Sequence, residues 1–352
     1  MDNPITDPVQ ASPAWLTMVL EESGCLNRGR VIEVHKSSRS TFTSTISLLE
    51  LTYSSDASGS APSRLFLKIS NPDAPLGCGR KEVEFYNHVA PLMVDPPAVR
   101  CYSAVYSPET GQSHILLDDL SGTHFQAGSS QLASVLHYEP IIDCLARFHA
   151  FWWEHPRLGK DISEIPTEES LRDYVLDIQK LLPAFFQSVT DRLSGSMCKL
   201  FYKAALSLPA LWRPLSEGRS FTLIHGDAHL QNFLYPVEPE KHKVCMIDWD
   251  FWNVSLGAND LAFMIALHWS PDKRRSLERS LIAKYHDELL KHGVRNYDWD
   301  DCWQDYRISV IHNLFTPVWQ WSAHLSESIW WPNMERVMSA LQDLECTELL
   351  EP

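Results

Sequence analysis

The apolar positions of this chain follow two rhythms, and the change from one to the other divides it. Ser12-Pro13 precedes Ala14 to Leu20 as an N-cap and first-turn proline, which predicts a short helix. Between Val31 and Leu117 the apolar residues alternate or run in short blocks, the signature of strands. Val31–Val34 and Thr43–Tyr53 read as the first two, Ser54–Pro62 as a turn, and Arg64–Ser70 as the third. A helix is expected over Arg80–Leu92, followed by strands at Ala98–Tyr106 and His114–Leu117. The predicted order is β-β-β-α-β-β.

After Leu120 the period lengthens. Ile141, Leu145, Phe148 and Trp152 recur at helical spacing, and further helices are expected over Glu168–Leu182, Leu193–Leu208, Arg274–Leu290 and Asn333–Leu344. One apolar, hairpin-like stretch interrupts them, from Phe221–Ile224 to Val244–Ile247. The change falls at Asp118–Ser121. It predicts an α+β chain with a β-rich N-terminal lobe over residues 1–119 and a mostly helical C-terminal lobe over residues 120–352.

Composition narrows the partners. Thirty Lys plus Arg against forty-five Asp plus Glu give a net charge of −15, which argues against a nucleic-acid or anionic-membrane surface. Eight cysteines lie scattered without a C-x-x-C pair or zinc spacing, and the N-terminus shows no basic region ahead of an apolar run. Reduced thiols and a cytoplasmic location are therefore expected. No apolar run approaches the roughly 20 residues of a membrane span.

The chemistry-bearing residues concentrate in His225-Gly226-Asp227-Ala228-His229-Leu230-Gln231-Asn232 and in Ile247-Asp248-Trp249-Asp250. Phosphoryl transfer needs a residue to orient the attacking hydroxyl, hard oxygen ligands for Mg²⁺ and a lysine on the phosphates. Asp227 and Asn232 stand five positions apart, the spacing of a base and a metal-binding Asn on one loop. Asp248 follows an apolar run as a second metal ligand. Lys68 is the one cation inside an apolar strand. Taken alone it is a snorkelling lysine; with these partners it is a phosphate-binding group. At 100° per residue Glu82 shares a face with Phe85, Tyr86 and Val89, whereas Glu84 shares one with Asn87 and His88, so Glu82 is the inward candidate to hold Lys68. His225, Asp227 and His229 also admit a metal-hydrolase reading, but no further ligands stand at matching spacing, and His225 reads better as a loop-bracing histidine. Asp250 has two open roles, at a second metal or at the strand end.

These residues carry a family resemblance. The run Phe221–Asp250 resembles the aminoglycoside phosphotransferase and choline kinase superfamily of small-molecule kinases, whose signature is H-G-D-x-H-x-x-N followed by I-D-W-D or I-D-W-E. Glu82-x-x-Phe85-Tyr86, Leu116-Leu117-Asp118-Asp119-Leu120 and Ala340–Leu344 are most similar to its ecdysteroid kinase-like branch. The resemblance implies a bilobal protein-kinase-like fold with an antiparallel sheet in the N-lobe, and ATP and Mg²⁺ as cofactors. It implies Asp227 as the catalytic base, Asn232 and Asp248 as metal ligands, and Lys68 with Glu82 on the α- and β-phosphates. It assigns the backbone of Asp118, Asp119 and Leu120 to an adenine-binding hinge and Asp260 to bracing the catalytic loop. Where such kinases carry glycine between the first two strands, this chain has His35–Phe42, without glycine; Ser38, Ser40, Lys36 and Arg39 are the groups left there to meet phosphate.

The function expected is transfer of a phosphoryl group from ATP to a hydroxyl of a small molecule. A catalytically silent kinase fold is the alternative from another class, and a choline- or aminoglycoside-type kinase the alternative within it. A protein kinase is disfavoured, because the loop reads His-Gly-Asp and no Asp-Phe-Gly follows. Trp299, Trp303, Trp319, Trp321, Trp330 and Trp331 have core packing as their ordinary role, but they exceed what packing of that segment needs. The resemblance implies an acceptor pocket in this region and the helices between Pro156 and Leu208, where one or more of these rings would pack on the acceptor. Asp298, Asp300, Asp301 and Asp305 would suit a cationic one.

Overall fold

The alternation in Arg64–Ser70 decides how the first half of the chain is built. Leu65, Leu67 and Ile69 are buried on one face of this strand, while Phe66 and Lys68 point to the other. The strand is central in a five-stranded antiparallel sheet, ordered Val31–Ser40, Ser44–Tyr53, Arg64–Ser70, Ser113–Asp118, Cys101–Tyr106. In this computed structural model, residues 3–41, 43–73, 77–126 and 135–350 are described, the side chains of 135–137 excepted.

The buried face of the sheet closes against the N-terminal helix Pro13–Glu22. Leu16, Val19 and Leu20 of that helix join Leu49, Leu51, Leu65, Leu67, Ile69 and Leu116 in one core. Ser12 caps the helix by accepting the Trp15 amide, and Pro13 opens its first turn, as the sequence predicts. On the other side stands the helix Arg80–Glu84, continued by a π-helical turn over Phe85–Val89 and a 3-10 turn over Ala90–Leu92.

The chain divides into two compact units, Met1–Ala127 with Phe233–Phe251 and Gly128–Asn232 with Trp252–Pro352. The segment carrying Asp248 thus packs with the sheet. Within the first unit Phe233–Pro236 pairs with both Cys245–Met246 and His124–Gln126. The second unit is helical, with long helices over Glu168–Ser188, Gly195–Leu211, Pro271–Lys291, Trp299–Asn313 and Glu327–Asp343. Together they make the fold α+β.

Two expectations need correction. Phe221–Ile224 and Val244–Ile247 do not form a hairpin: Thr222–Ile224 pairs with Asn253–Ser255, and Cys245–Met246 pairs with Phe233–Pro236. The short polar strand Asn253–Ser255 lacks the apolar block that would have announced it. Likewise His35–Phe42 is not a loop. The strand runs unbroken to Ser40, paired through Ser40↔Thr45, and Phe42 lies outside the described residues. Hydroxyls paired across the two strands hold this polar segment in the ladder, Ser38 with Ser47 at 2.7 Å and Ser40 with Thr45 at 3.3 Å. Lys36 bends away to the carbonyls of Pro8 and Val9, at 2.8 and 3.2 Å.

None of the eight cysteines, all among the described residues, is in a disulfide, and no helix among the described residues is long and apolar enough to cross a membrane.

His114 ties the N-terminal segment to this sheet. Its Nδ1 accepts the Ile5 amide at 3.1 Å and its Nε2 meets the Ser103 hydroxyl at 3.0 Å, so the ring is neutral with its proton on Nε2. Burial lowers its pKa to about 4. The folded ring refuses a proton that an unfolded histidine takes up near pH 6.5, so this stability is complete above pH 6.5 and drains away as pH falls toward 4. Between pH 7 and pH 5 His114 alone should cost about 2 kcal/mol. Thermal melts at the two pH values should show a smaller acid loss for His114→Gln than for the natural chain; equal losses would refute the assignment.

Candidate functional site

A buried carboxylate organises the loop that carries Asp227. Asp260, in the helix Ala258–Ala262, is fully buried. It accepts the amides of His225 at 2.7 Å and Gly226 at 2.9 Å, and His149 Nε2 lies 3.1 Å away. Burial alone would raise its pKa, but these donors outweigh it and hold the carboxyl below its ordinary range. His149 is itself set by the Tyr285 hydroxyl, 2.8 Å from its Nδ1. The strand Thr222–Ile224 delivers the chain to this anchor, and Gly226 then turns it with a φ of +81° that a side chain would resist.

Beyond the turn the loop closes on itself. The Asp227 amide donates to His225 Nδ1 at 3.3 Å, which gives His225 the bracing place expected of it. Asn232 donates its amide nitrogen to the Asp227 carbonyl at 2.8 Å and to Asp227 Oδ2 at 2.9 Å. His229 Nε2 stands 3.5 Å from the same carboxylate oxygen. Asn232 is thereby fixed with its amide nitrogen spent on the loop, leaving Oδ1 as the hard oxygen available to a cation.

The first unit gathers the second group of candidates. Lys68 Nζ lies 2.7 Å from Glu82 Oε2 and 2.7 Å from Asp248 Oδ1. Burial works against its charge, but the two carboxylates prevail and keep the ammonium well above the ordinary lysine range. Burial pushes Glu82 up to about 7, with Lys68 opposing. Glu82, not Glu84, faces inward; Glu84 pairs with Arg80 at the surface. Asp248 adopts a left-handed backbone, φ +66°, uncommon for a residue with a Cβ.

The two residues after Asp248 turn to the same helix. Trp249 stacks on Phe85 with ring centroids 3.7 Å apart and planes 7° from parallel. Asp250 accepts the amides of Gly79 at 3.0 Å and Glu82 at 3.3 Å. Among the described residues, Glu82, Asp248 and Asp250 form the one carboxylate group close enough to share a cation. His225, Asp227 and His229 make no such cluster.

The remaining candidates are scattered. Asp118 accepts the Tyr102 hydroxyl at 2.5 Å, Asp119 pairs with Arg64 at 2.7 Å, and the Leu120 carbonyl takes the amides of Thr123 and His124. Ser38 and Ser40 are strand residues, as above. In the second unit Trp321 and Trp330 pack on Phe185, and Trp319 donates to the Tyr174 hydroxyl. Trp299 and Trp303 stack under Arg279, and Arg192 lies over Trp331. Asp298 and Asp301 form the capping box of the helix Trp299–Asn313. Asp305 accepts the Tyr297 hydroxyl and is pushed up to about 7 by burial.

Sequence reasoning missed His149, Tyr285 and the reach of Asp250. His149 had one visible signal, a histidine beside Phe148 in the apolar stripe of a helix.

No protein of curated function matches the chain. Among solved structures it is similar to choline kinase from Cryptosporidium parvum, at 12% identity and a TM-score of 0.56, covering 90% of this chain and 91% of that one. It is similar to an ethanolamine kinase from Plasmodium vivax, at 12% identity and 0.56, covering 93% and 86%. It is also similar to a protein from Ralstonia eutropha assigned as an aminoglycoside phosphotransferase, at 13% identity and 0.56, covering 96% and 98%. The fold is thus the protein-kinase-like fold of small-molecule kinases. The ecdysteroid kinase-like family model matches residues 73–295, which include Glu82, Asp227, Asn232, Asp248 and Asp260, and the chain belongs to that family.

Proposed function

We propose that this chain transfers the γ-phosphoryl group of ATP to a hydroxyl of a small molecule. The observation that supports this most is Lys68, part-buried in the sheet unit and gripped by Glu82 and Asp248. A phosphotransferase needs such a fixed cation on the phosphates. In the helical unit the braced loop presents Asp227, whose carboxylate Asn232 orients.

In this reading Asp227 accepts the proton of the acceptor hydroxyl. The freed oxygen forms a bond to the γ-phosphorus, the bond from that phosphorus to the β,γ-bridging oxygen breaks, and ADP leaves. Lys68 holds the α- and β-phosphates, Glu82 keeps it in place, and Asp118 to Leu120 provide the adenine hinge. Asn232 and Asp248 offer the hard oxygens that Mg²⁺ prefers, and the metal when bound would neutralise phosphate charge. The acceptor is a small alcohol of the general class that choline and ethanolamine kinases are named for, and the chain acts in the cytoplasm. A ligand-binding but silent kinase fold is the second reading; the strand-bound, glycine-free Ser38 and Ser40 favour it.

Incubated with Mg²⁺-ATP and a library of small alcohols, the protein should release ADP above background with at least one acceptor. Asp227→Ala should reduce that turnover at least ~100-fold, the usual scale for a lost general base; a variant as active as the natural chain would remove Asp227 from its role. Separately, saturating Mg²⁺-ATP should raise the melting temperature, by about 2.7 kcal/mol of stabilisation at 100 times the dissociation constant. Chelating the metal or changing Lys68→Ala should abolish the shift. Binding without turnover on any alcohol would favour the silent reading, and an equal shift in Lys68→Ala would overturn the phosphate assignment.

A further inference from the structure

The helix that carries Glu82 cannot cap itself. Its N-cap is Gly79, in a left-handed conformation with φ +78° and without a side-chain acceptor. A larger residue would be strained there, since its Cβ would stand 2.2 Å from the Ser113 hydroxyl on a left-handed backbone. The first amides of the helix must therefore find an acceptor from elsewhere in the chain.

Asp250 supplies it. One carboxylate oxygen takes the Gly79 amide and the other takes the Glu82 amide, at 3.0 and 3.3 Å, from a residue 168 positions away from Glu82. Asp248 meanwhile binds Lys68, and Trp249 lies flat on Phe85 one turn further along. Three consecutive side chains, Asp248, Trp249 and Asp250, thus fasten the lysine, the continuation of the glutamate helix and its start. The three residues follow the end of the strand Cys245–Met246, and Asp248 takes a left-handed backbone.

We propose that Asp250 is a positioning residue: it caps the Glu82 helix from outside and, through Glu82, sets Lys68 for phosphate. This rests on the phosphotransferase reading for its kinetic consequence, though not for the cap itself. It also gives Asp250 a role different from that of Asp248, which pairs with Lys68 and is the proposed metal ligand.

Amide hydrogen exchange tests the cap without any need of activity. In Asp250→Ala the amides of residues 79–83 should exchange about tenfold faster, the effect of a lost N-cap, with the strand Arg64–Ser70 unchanged; unaltered exchange overturns the proposal. Asp250→Asn keeps the size and one acceptor oxygen, and carries the same comparison if the alanine variant does not fold. Kinetically, Asp250→Ala should lower kcat/KM for ATP about tenfold, and Asp250→Glu, which retains the carboxylate, should recover most of it. Because Asp250 acts through Glu82, adding Asp250→Ala to Glu82→Gln should cost little more than Glu82→Gln alone. Additive losses overturn the coupling, and rescue of Asp250→Ala by excess Mg²⁺ would make Asp250 a metal ligand instead. If the natural chain turns over no alcohol, the functional reading fails, while the exchange result still decides the cap.

Discussion

A carboxylate taken out of water must be met by donors, and this constraint shapes both units. Asp260 and Glu82 are 0% and 2% exposed. An unpaired charge at such a depth would cost several kcal/mol. Asp260 is satisfied by two backbone amides and His149, which fixes the course of the loop ahead of Asp227. Glu82 is satisfied by Lys68, which fixes an ammonium in the sheet unit. In each case the buried acid's need for partners holds a neighbouring group in place.

The same constraint explains why three adjacent residues near Asp248 have such different surroundings. Trp249 is apolar enough to be buried entirely, provided its ring nitrogen finds an acceptor, which the Met246 carbonyl offers at 3.2 Å. Asp250 is substantially buried and its pKa is raised in consequence, with Lys68 and the two helix amides pulling it back. Cys78 beside it is pushed up by burial first and the Asp250 charge second, so it stays a neutral thiol under the cap. Only Asp248 keeps nearly half of its side chain in solvent, at 48%. Exposure separates the acid that can exchange partners from the one that serves as a fixture.

What could be read in advance depended on whether a residue's signal was local. Lys68 stood out because it interrupts an apolar strand, and Glu82 because the helical period puts it on the side of Phe85 and Val89. Asp227 and Asn232 declared themselves by spacing. The strand through Ser38 and Ser40 did not, because serine, lysine and arginine carry weak strand preference and the evidence for pairing lies in Ser47 and Thr45 on the neighbour. The partner of Thr222–Ile224 was hidden for the same reason. His149 reaches Asp260 across 111 positions, and Asp250 reaches Gly79 across 171. Such pairings are settled by tertiary packing, of which periodicity and propensity hold no trace.

The unequal burial of the two carboxylates on Lys68 has a consequence for how phosphate would be received. Serine hydroxyls on the glycine-free strand are already paired with its neighbour, and Lys36 is committed to Pro8 and Val9. In the proposed reaction the phosphate contact then falls chiefly to Lys68. Removing the buried Glu82 partner would strand a charge at a cost of about 3–5 kcal/mol, whereas a half-exposed pair such as Lys68–Asp248 contributes about 0–1 kcal/mol. An incoming phosphate therefore competes with Asp248 and not with Glu82. In that reaction a divalent cation drawn to Asp248 would remove that competitor, so metal and nucleotide would favour each other's binding through a single ammonium.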